Sequence, residues 1–397
     1  MHLQRFTFLA IVTLVSLTTH GQLFKPLGLV EGMGEQMGEN SQPKMHIENG
    51  KLYVCTSKGL YSKDLAYENS EWQLEGFENI PLQDYVRKGN DILALRYNKG
   101  DGFFFLSHDG GKTYEDVTPD FLCGEKNEIL LNLVQHPTDS STILTSSFYK
   151  GILCSTDFGQ TWKCLSGGLY GNSTGFHPAR PSIIYNSGSG DMLDGHIKIS
   201  YDNGQTWNDH GKSLGYPGDN CVFRPAFHPT HPDRWLAGGI CCVFLSEDNG
   251  QTWSYQKFGN DVKYAAIWHF SAFDDEHPDT VYMAGSVVNE IKLICSTDGG
   301  HSWYPSQSMT GKVKYDSTND LLQYGDKLLI YSESDVYEVS KTELLEQTTS
   351  VRSIATKEKY SSLYDLQGRK MVNAQWSMLN GLKKGIYIQK KKKIAIK

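Results

Sequence analysis

Several kinds of chemistry are missing from this chain of 397 residues. Lys and Arg number 38 against 45 Asp and Glu, for a net charge of −7, so there is no basic excess from which to build a phosphate-binding face. This argues against nucleic acid as a partner. Beyond the N-terminus no apolar run is long enough to span a bilayer, which takes about 20 residues in a helix. The eight cysteines include no Cys-x-x-Cys pair, so a zinc ribbon is not supported. No phosphate-binding glycine loop, nucleophile elbow or metal-ligand motif occurs, and the sequence therefore predicts no cofactor and no bound metal. Disorder is also disfavoured, because 39% hydrophobic and 12% aromatic residues are enough for a core.

What is present is glycine, at 39 residues, together with many aromatics. That pairing predicts short strands joined by tight turns. The N-terminus reads as an export signal. His2 and Arg5 precede an apolar stretch over 6–17, and Thr19 and Gly21 offer the small residues a signal peptidase prefers. Residues 1–21 are thus expected to be removed before Gln22. No cysteine lies there to take a lipid anchor, so the mature chain is expected to be a soluble monomer, secreted or held at the outer cell surface, with no membrane span.

An internal repeat fixes the architecture. Five octads align without gaps, beginning at Ser107, Ser155, Ser200, Ser246 and Ser296; the third reads Ser200-Tyr-Asp-Asn-Gly-Gln-Thr-Trp207. Their aspartates, Asp109, Asp157, Asp202, Asp248 and Asp298, are separated by 48, 45, 46 and 50 residues. A decayed copy begins at Ser62. The Asp carboxylate and Ser hydroxyl suit turn amides, glycine permits positive φ, and the Trp starts a returning strand. A second feature keeps the same period: His136-Pro137, His177-Pro178, His228-Pro229 and His277-Pro278 each close an apolar stretch, as a turn between first and second strands would.

The octads resemble the Asp-box of sialidases, sortilin ectodomains and two-propeller xyloglucan hydrolases. The resemblance implies an all-β fold, a single β-propeller in which each box caps the turn between third and fourth strands, away from the active centre. On that reading the five aspartates are structural. Blades are expected at about 45–76, 81–118, 128–166, 172–211, 221–259 and 265–306. Residues 313–339 supply three strands of a seventh, and 24–30 the missing one, giving seven four-stranded blades within 22–340. Cys154 and Cys295 occupy octad-flanking sites that hold Leu106, Ile199 and Leu245 elsewhere, and so read as packing residues.

A polar linker over 341–360 leads to a C-terminal segment, 361–397, containing Tyr364-Asp-Leu-Gln-Gly-Arg369, Lys384-Gly-Ile-Tyr-Ile-Gln389 and Lys393-Ile-Ala-Ile-Lys397. It resembles the type A sorting domain of type IX secretion substrates, which implies a short β tail read by that machinery.

In a propeller the loops between blades, and those between second and third strands, share the face on which ligands usually sit. Tyr170, Tyr216 and Tyr264 recur there at intervals of 46 and 48, suited to stacking on sugar or to packing between blades. Acidic candidates are Asp101, Glu125, Asp191, Asp194, Asp219, Asp261 and Glu290; glycoside hydrolysis needs two carboxylates about 5–10 Å apart, one of them protonated. Asp219 and Asp261, beside the periodic tyrosines, are the expected catalytic pair. Arg224, Trp268 and His269 fall on innermost strands as candidate substrate contacts, with a core role the stronger reading for Trp268. Sialidases clamp a carboxylate with three arginines and carry an Arg-Ile-Pro motif. That motif is missing here, and by this assignment only Arg96 and Arg224 approach the ligand face. The sequence therefore points to a propeller acting on extracellular polysaccharide or glycoconjugate as a glycoside hydrolase, or to a non-catalytic surface module binding glycan or protein.

Overall fold

In the computed structural model, residues 23–33, 35, 41–97, 103–122, 128–147, 150–166, 170–189, 195–210, 214, 221–258, 266–287, 290–305, 318–333 and 335–347 are described, together with the strand backbone at 362–364, 370–373, 385–389 and 392–396. Seven four-stranded antiparallel sheets form the blades of a propeller. Their innermost strands are Met45–Glu48, Leu82–Lys88, Leu130–Gln135, Tyr170–His177, Ala226–Phe227, Ile267–Phe273 and Thr318–Tyr324.

The ring closes where two distant parts of the chain meet in one sheet. Lys25–Pro26 pairs with Val336–Ser340, with Pro26 opposite Tyr337, and so becomes the outermost strand of the seventh blade. The amide of Leu27 donates to the Val336 carbonyl at 2.8 Å, extending that join. Closure leaves no first or last blade with an open side, the arrangement that protects sheet edges from pairing with other chains.

Because every blade is covered on both faces by its neighbours, middle strands do not alternate in and out of solvent. Ile143–Ser147 and Gly151–Ser155 are buried at every residue. The apolar cores accordingly lie between blades. One joins Val86, Leu93 and Phe104 of the second blade to Leu130, Ile143 and Leu153 of the third. Another joins Ile183, Ile197 and Ile199 of the fourth to Trp235 and Phe244 of the fifth. Cys154 and Cys295 are buried in such clusters.

The five octads fold into one repeated turn between third and fourth strands. In the copy at Ser155 the hydroxyl donates to Asp157 Oδ1 at 2.8 Å and accepts the Gly159 amide at 2.8 Å. Asp157 Oδ1 also accepts the Thr161 amide at 2.8 Å, and Oδ2 accepts the Thr161 hydroxyl. The indole of Trp162 donates to the Gly159 carbonyl at 3.0 Å and its ring stacks on Phe104 of the preceding blade, 4.5 Å between centroids. Two successive residues have positive φ, the second always glycine; the first is Phe158, Asn203 or Asn249 in three copies. The glycine has a further reason to be there. A Cβ on Gly159 would lie 2.5 Å from Leu93 Cδ2, so the turn rests directly on the preceding blade.

The His-Pro sites form turns between first and second strands. His177 Nδ1 accepts the amides of Ala179 and Arg180 at 3.1 Å each, and Nε2 bonds the Pro232 carbonyl at 2.8 Å in the adjacent blade. A short helix over 341–347 follows the last blade, and Lys341 Nζ lies 3.1 Å from the buried Asp274 of the sixth. The C-terminal strands form a separate sheet in the order Lys370–Asn373, Ser362–Tyr364, Gly385–Gln389, Lys392–Ile396. No helix among the described residues is long and apolar enough to cross a membrane.

Candidate functional site in the central channel

Innermost strands of a propeller face one another across an axial channel, and here they enclose a cavity of about 730 Å³. Such a volume lies in the range of small-ligand sites. Five of these strands are broken by β-bulges, between Leu82 and Asp84, Leu130 and Leu133, Gly171 and Ser173, Trp268 and Phe270, and Thr318 and Asp320. A bulge turns an extra side chain off the sheet and re-aims its neighbours. The residues released include Gln83, Asn132, His269 and Asn319, all polar, where a buried strand would otherwise be apolar.

Two bulges place aspartates in matching roles. Asp84 Oδ1 accepts its neighbour's amide, Tyr85 N, at 2.8 Å, and Oδ2 accepts Leu133 N of the next blade at 2.8 Å. Asp320 repeats this with Leu321 N at 3.0 Å and Met45 N of the first blade at 3.3 Å. Each then holds one basic side chain at the cavity. His46 Nε2 lies 2.6 Å from Asp84 Oδ1, and Arg224 Nη2 donates to Asp320 Oδ1 at 3.2 Å. Burial alone would lower the His46 pKa, but the charge of Asp84 and its hydrogen bond outweigh that and raise it.

Lys44 stands beside this pair. Its side chain is 8% exposed, its ammonium donates to the Asn319 carbonyl at 3.0 Å, and it lies 4.9 Å from the centroid of Phe270. Arg224 approaches the same ring to 5.3 Å. Burial, and after it the attraction of Asp320 and repulsion by Arg224, leave the Lys44 pKa lowered to about 8. His269, on the neighbouring wall, meets Phe223 edge-on at 4.7 Å and Thr318 Oγ1 at 3.4 Å. Burial, and then the Lys44 charge, lower its pKa to about 4, so it is a neutral imidazole at neutral pH. Further along the channel Arg87 Nε lies 2.7 Å from Glu48 Oε2, which with Tyr85 makes a second polar cluster.

The sequence-chosen residues fall in three groups. Arg224 and His269 line the cavity. Trp268 does not; it is fully buried among Phe258, Phe273, Met283 and Trp303, because the bulge after it turns His269 to the channel and Trp268 to the core. Asp219, Asp261, Tyr216 and Tyr264 lie outside the described residues, as do Asp101, Glu125, Asp191 and Asp194, and only the backbone of Tyr170 is described. Glu290 begins the strand Glu290–Ser296. Arg96 packs over Phe105 at 5.7 Å instead of lining the cavity, whereas Arg87, not expected at the ligand side, does line it. Sequence reasoning passed over Lys44, His46, Asp84 and Asp320. The available signal was an amide residue followed by Asp at the start of two innermost strands, Gln83-Asp84 and Asn319-Asp320.

No protein-family model matches the chain. It is 25% identical over 242 residues to an oligoxyloglucan-reducing end-specific xyloglucanase of Emericella nidulans, a stretch covering 53% of this chain and 28% of that protein. Its fold is similar to the crystal structure of a GH74 xyloglucanase from Xanthomonas campestris, with a TM-score of 0.58 and 15% identity, over 79% of this chain and 53% of the other. It is similar also to YCF48, in a structure bound to D1 peptide, with a TM-score of 0.53 and 15% identity, over 76% of this chain and 94% of that one. The chain thus spans little over a quarter of the curated relative and about half of the Xanthomonas enzyme.

Proposed function

We propose that this chain acts on extracellular glycan at the channel face of its ring, as a glycoside hydrolase. The observation that carries the reading is the 25% identity over 242 residues, 53% of this chain, with a xyloglucan-cleaving enzyme. The channel supports it: a cavity of about 730 Å³ with fixed donors, acceptors and the ring of Phe270 suits a saccharide's hydroxyls and its apolar ring face. Asp219 and Asp261 are proposed as the carboxylate pair, because each lies in the segment leading into an innermost strand, and Tyr170, Tyr216 and Tyr264 as stacking residues. The octad aspartates are assigned a structural role, all their oxygens being engaged within their own turns. Export through 1–21 and delivery by a type IX system through 361–397 belong to the same proposal.

A second reading, a recognition module without catalysis, draws on the bonding of Asp84 and Asp320. Each accepts two backbone amides and lies against a basic side chain, so both carboxylates are engaged in holding the channel wall instead of standing free to meet a glycosidic oxygen. The likeness of this single ring to most of YCF48, a propeller seen with a peptide, is consistent with that reading.

The two are separated by incubating the whole protein with xyloglucan oligosaccharides and a panel of polysaccharides while following reducing ends. Hydrolysis is expected, and Asp219→Asn or Asp261→Asn is expected to lower it at least about 100-fold, the usual worth of acid–base catalysis. Release untouched by both substitutions removes that pair. Binding without release selects the recognition module.

A further inference from the structure

The ammonium of Lys44 is poorly provided for. Burying a charge is costly unless it is paired. Yet within the described residues Lys44 spends one hydrogen bond on a carbonyl and has no carboxylate at ion-pair distance. Asp320 is already taken by Arg224 and two amides. Around Phe270, then, two cations meet the carboxylate of Asp320, while Asp84 is engaged by His46, leaving one positive charge at a cavity wall.

We propose that Lys44 and Arg224 form a carboxylate subsite in the channel, reading the acid group of a uronate-bearing saccharide whose ring lies against Phe270 and Phe223. This rests on the glycan reading and narrows it from neutral to acidic sugars. One negative charge balances the excess, which favours a carboxylate over a dianionic phosphate. Arg224 offers planar donors and Lys44 a point charge, a combination able to hold both carboxylate oxygens. His269 completes the wall as a neutral donor or acceptor for an adjacent hydroxyl. His46 is not available for this, since Asp84 holds it at 2.6 Å.

The test is calorimetric titration of the whole protein with trigalacturonate, with its methyl ester and with succinate. The free acid is expected to bind at least tenfold more tightly than the ester and than succinate. Lys44→Met and Arg224→Gln, each checked for an unchanged unfolding transition, should each abolish the preference for the free acid over the ester. Affinity for the acid should also fall about tenfold between pH 7 and pH 9 as the Lys44 ammonium, flanked by Asp320, Asp84, Arg224, Cys55 and His269, loses its proton. Equal binding of acid and ester overturns this inference and leaves the glycan reading standing. Equal binding of succinate shows a bare carboxylate site and overturns the saccharide assignment. A preference that survives both substitutions overturns the location. Failure of every saccharide, neutral ones included, overturns the inference and the glycan reading together.

Discussion

The outer turns and the channel wall treat the same sevenfold repetition in opposite ways. At the turns, five copies keep one bonding pattern almost without variation: the amide of the octad glycine meets the serine hydroxyl at 2.7, 2.8, 2.7, 2.9 and 2.8 Å. At the channel, the strands bring in Lys44, Asp84, Asn132, Arg224, His269 and Asp320, and only the two aspartates share a role. Repetition therefore marks what holds the ring together. Departure from it marks where a ligand would be told apart. Aspartates conspicuous in sequence are consumed by turns, whereas those lining the cavity are unremarkable in sequence and become visible only once bulges aim them inward.

The contrast breaks most sharply at glycine. Gly159→Val places a branched side chain at φ +87°, with its Cβ 2.5 Å from Leu93 Cδ2 across the blade interface. Left-handed strain and overpacking together should cost about 4 kcal/mol, read as a lowered midpoint of denaturant unfolding. Ser296→Ala is milder. The serine is fully buried and accepts the Gly300 amide at 2.8 Å, so its loss strands a buried donor, worth about 2 kcal/mol. Gly89, at the channel, has φ +64° but open space around its Cβ position. Gly89→Ala should cost only about 1 kcal/mol, from backbone strain without collision. A Gly89 effect as large as that of Gly159 would show the channel end to be packed as tightly as the turns.

Much of the ring was legible beforehand because its signals are local and repeated. The resemblance of the octads implied the third-to-fourth strand turns, His-Pro spacing suggested the first-to-second ones, and strand counting offered the early segment 24–30 to complete the last blade, which Lys25–Pro26 does. Channel chemistry was not legible in the same way. It arises from side chains far apart in sequence, such as Lys44 with Asn319 or Arg224 with Asp320, joined by ring closure and not by any motif. Trp268 shows the other limit: a place on an innermost strand made it and His269 candidates, though a core role was the stronger reading for Trp268, and a single bulge sends His269 to the cavity and Trp268 to the core.

The smallest predicted effect concerns two histidines of this one channel. His269 has a folded pKa of about 4, below its ordinary 6.5, because burial and Lys44 oppose its charge. Its neutral form is favoured by folding, so its contribution is present above pH 6.5 and is lost as pH falls from there towards 4. His46 has a raised pKa, since Asp84 overcomes the penalty of burial, so its contribution is present below pH 6.5 and is lost as pH rises through the folded value. Mild acid should thus weaken the protein through one and strengthen it through the other. Between pH 7 and 6 the His269 part amounts to somewhat under about 1 kcal/mol. Stability measured by denaturant titration at each pH should fall less steeply with acid in His269→Gln and more steeply in His46→Gln. Equal slopes in the two variants would mean that Asp84 does not hold a proton on His46, and would remove the electrostatic difference argued here between the two sides of the cavity.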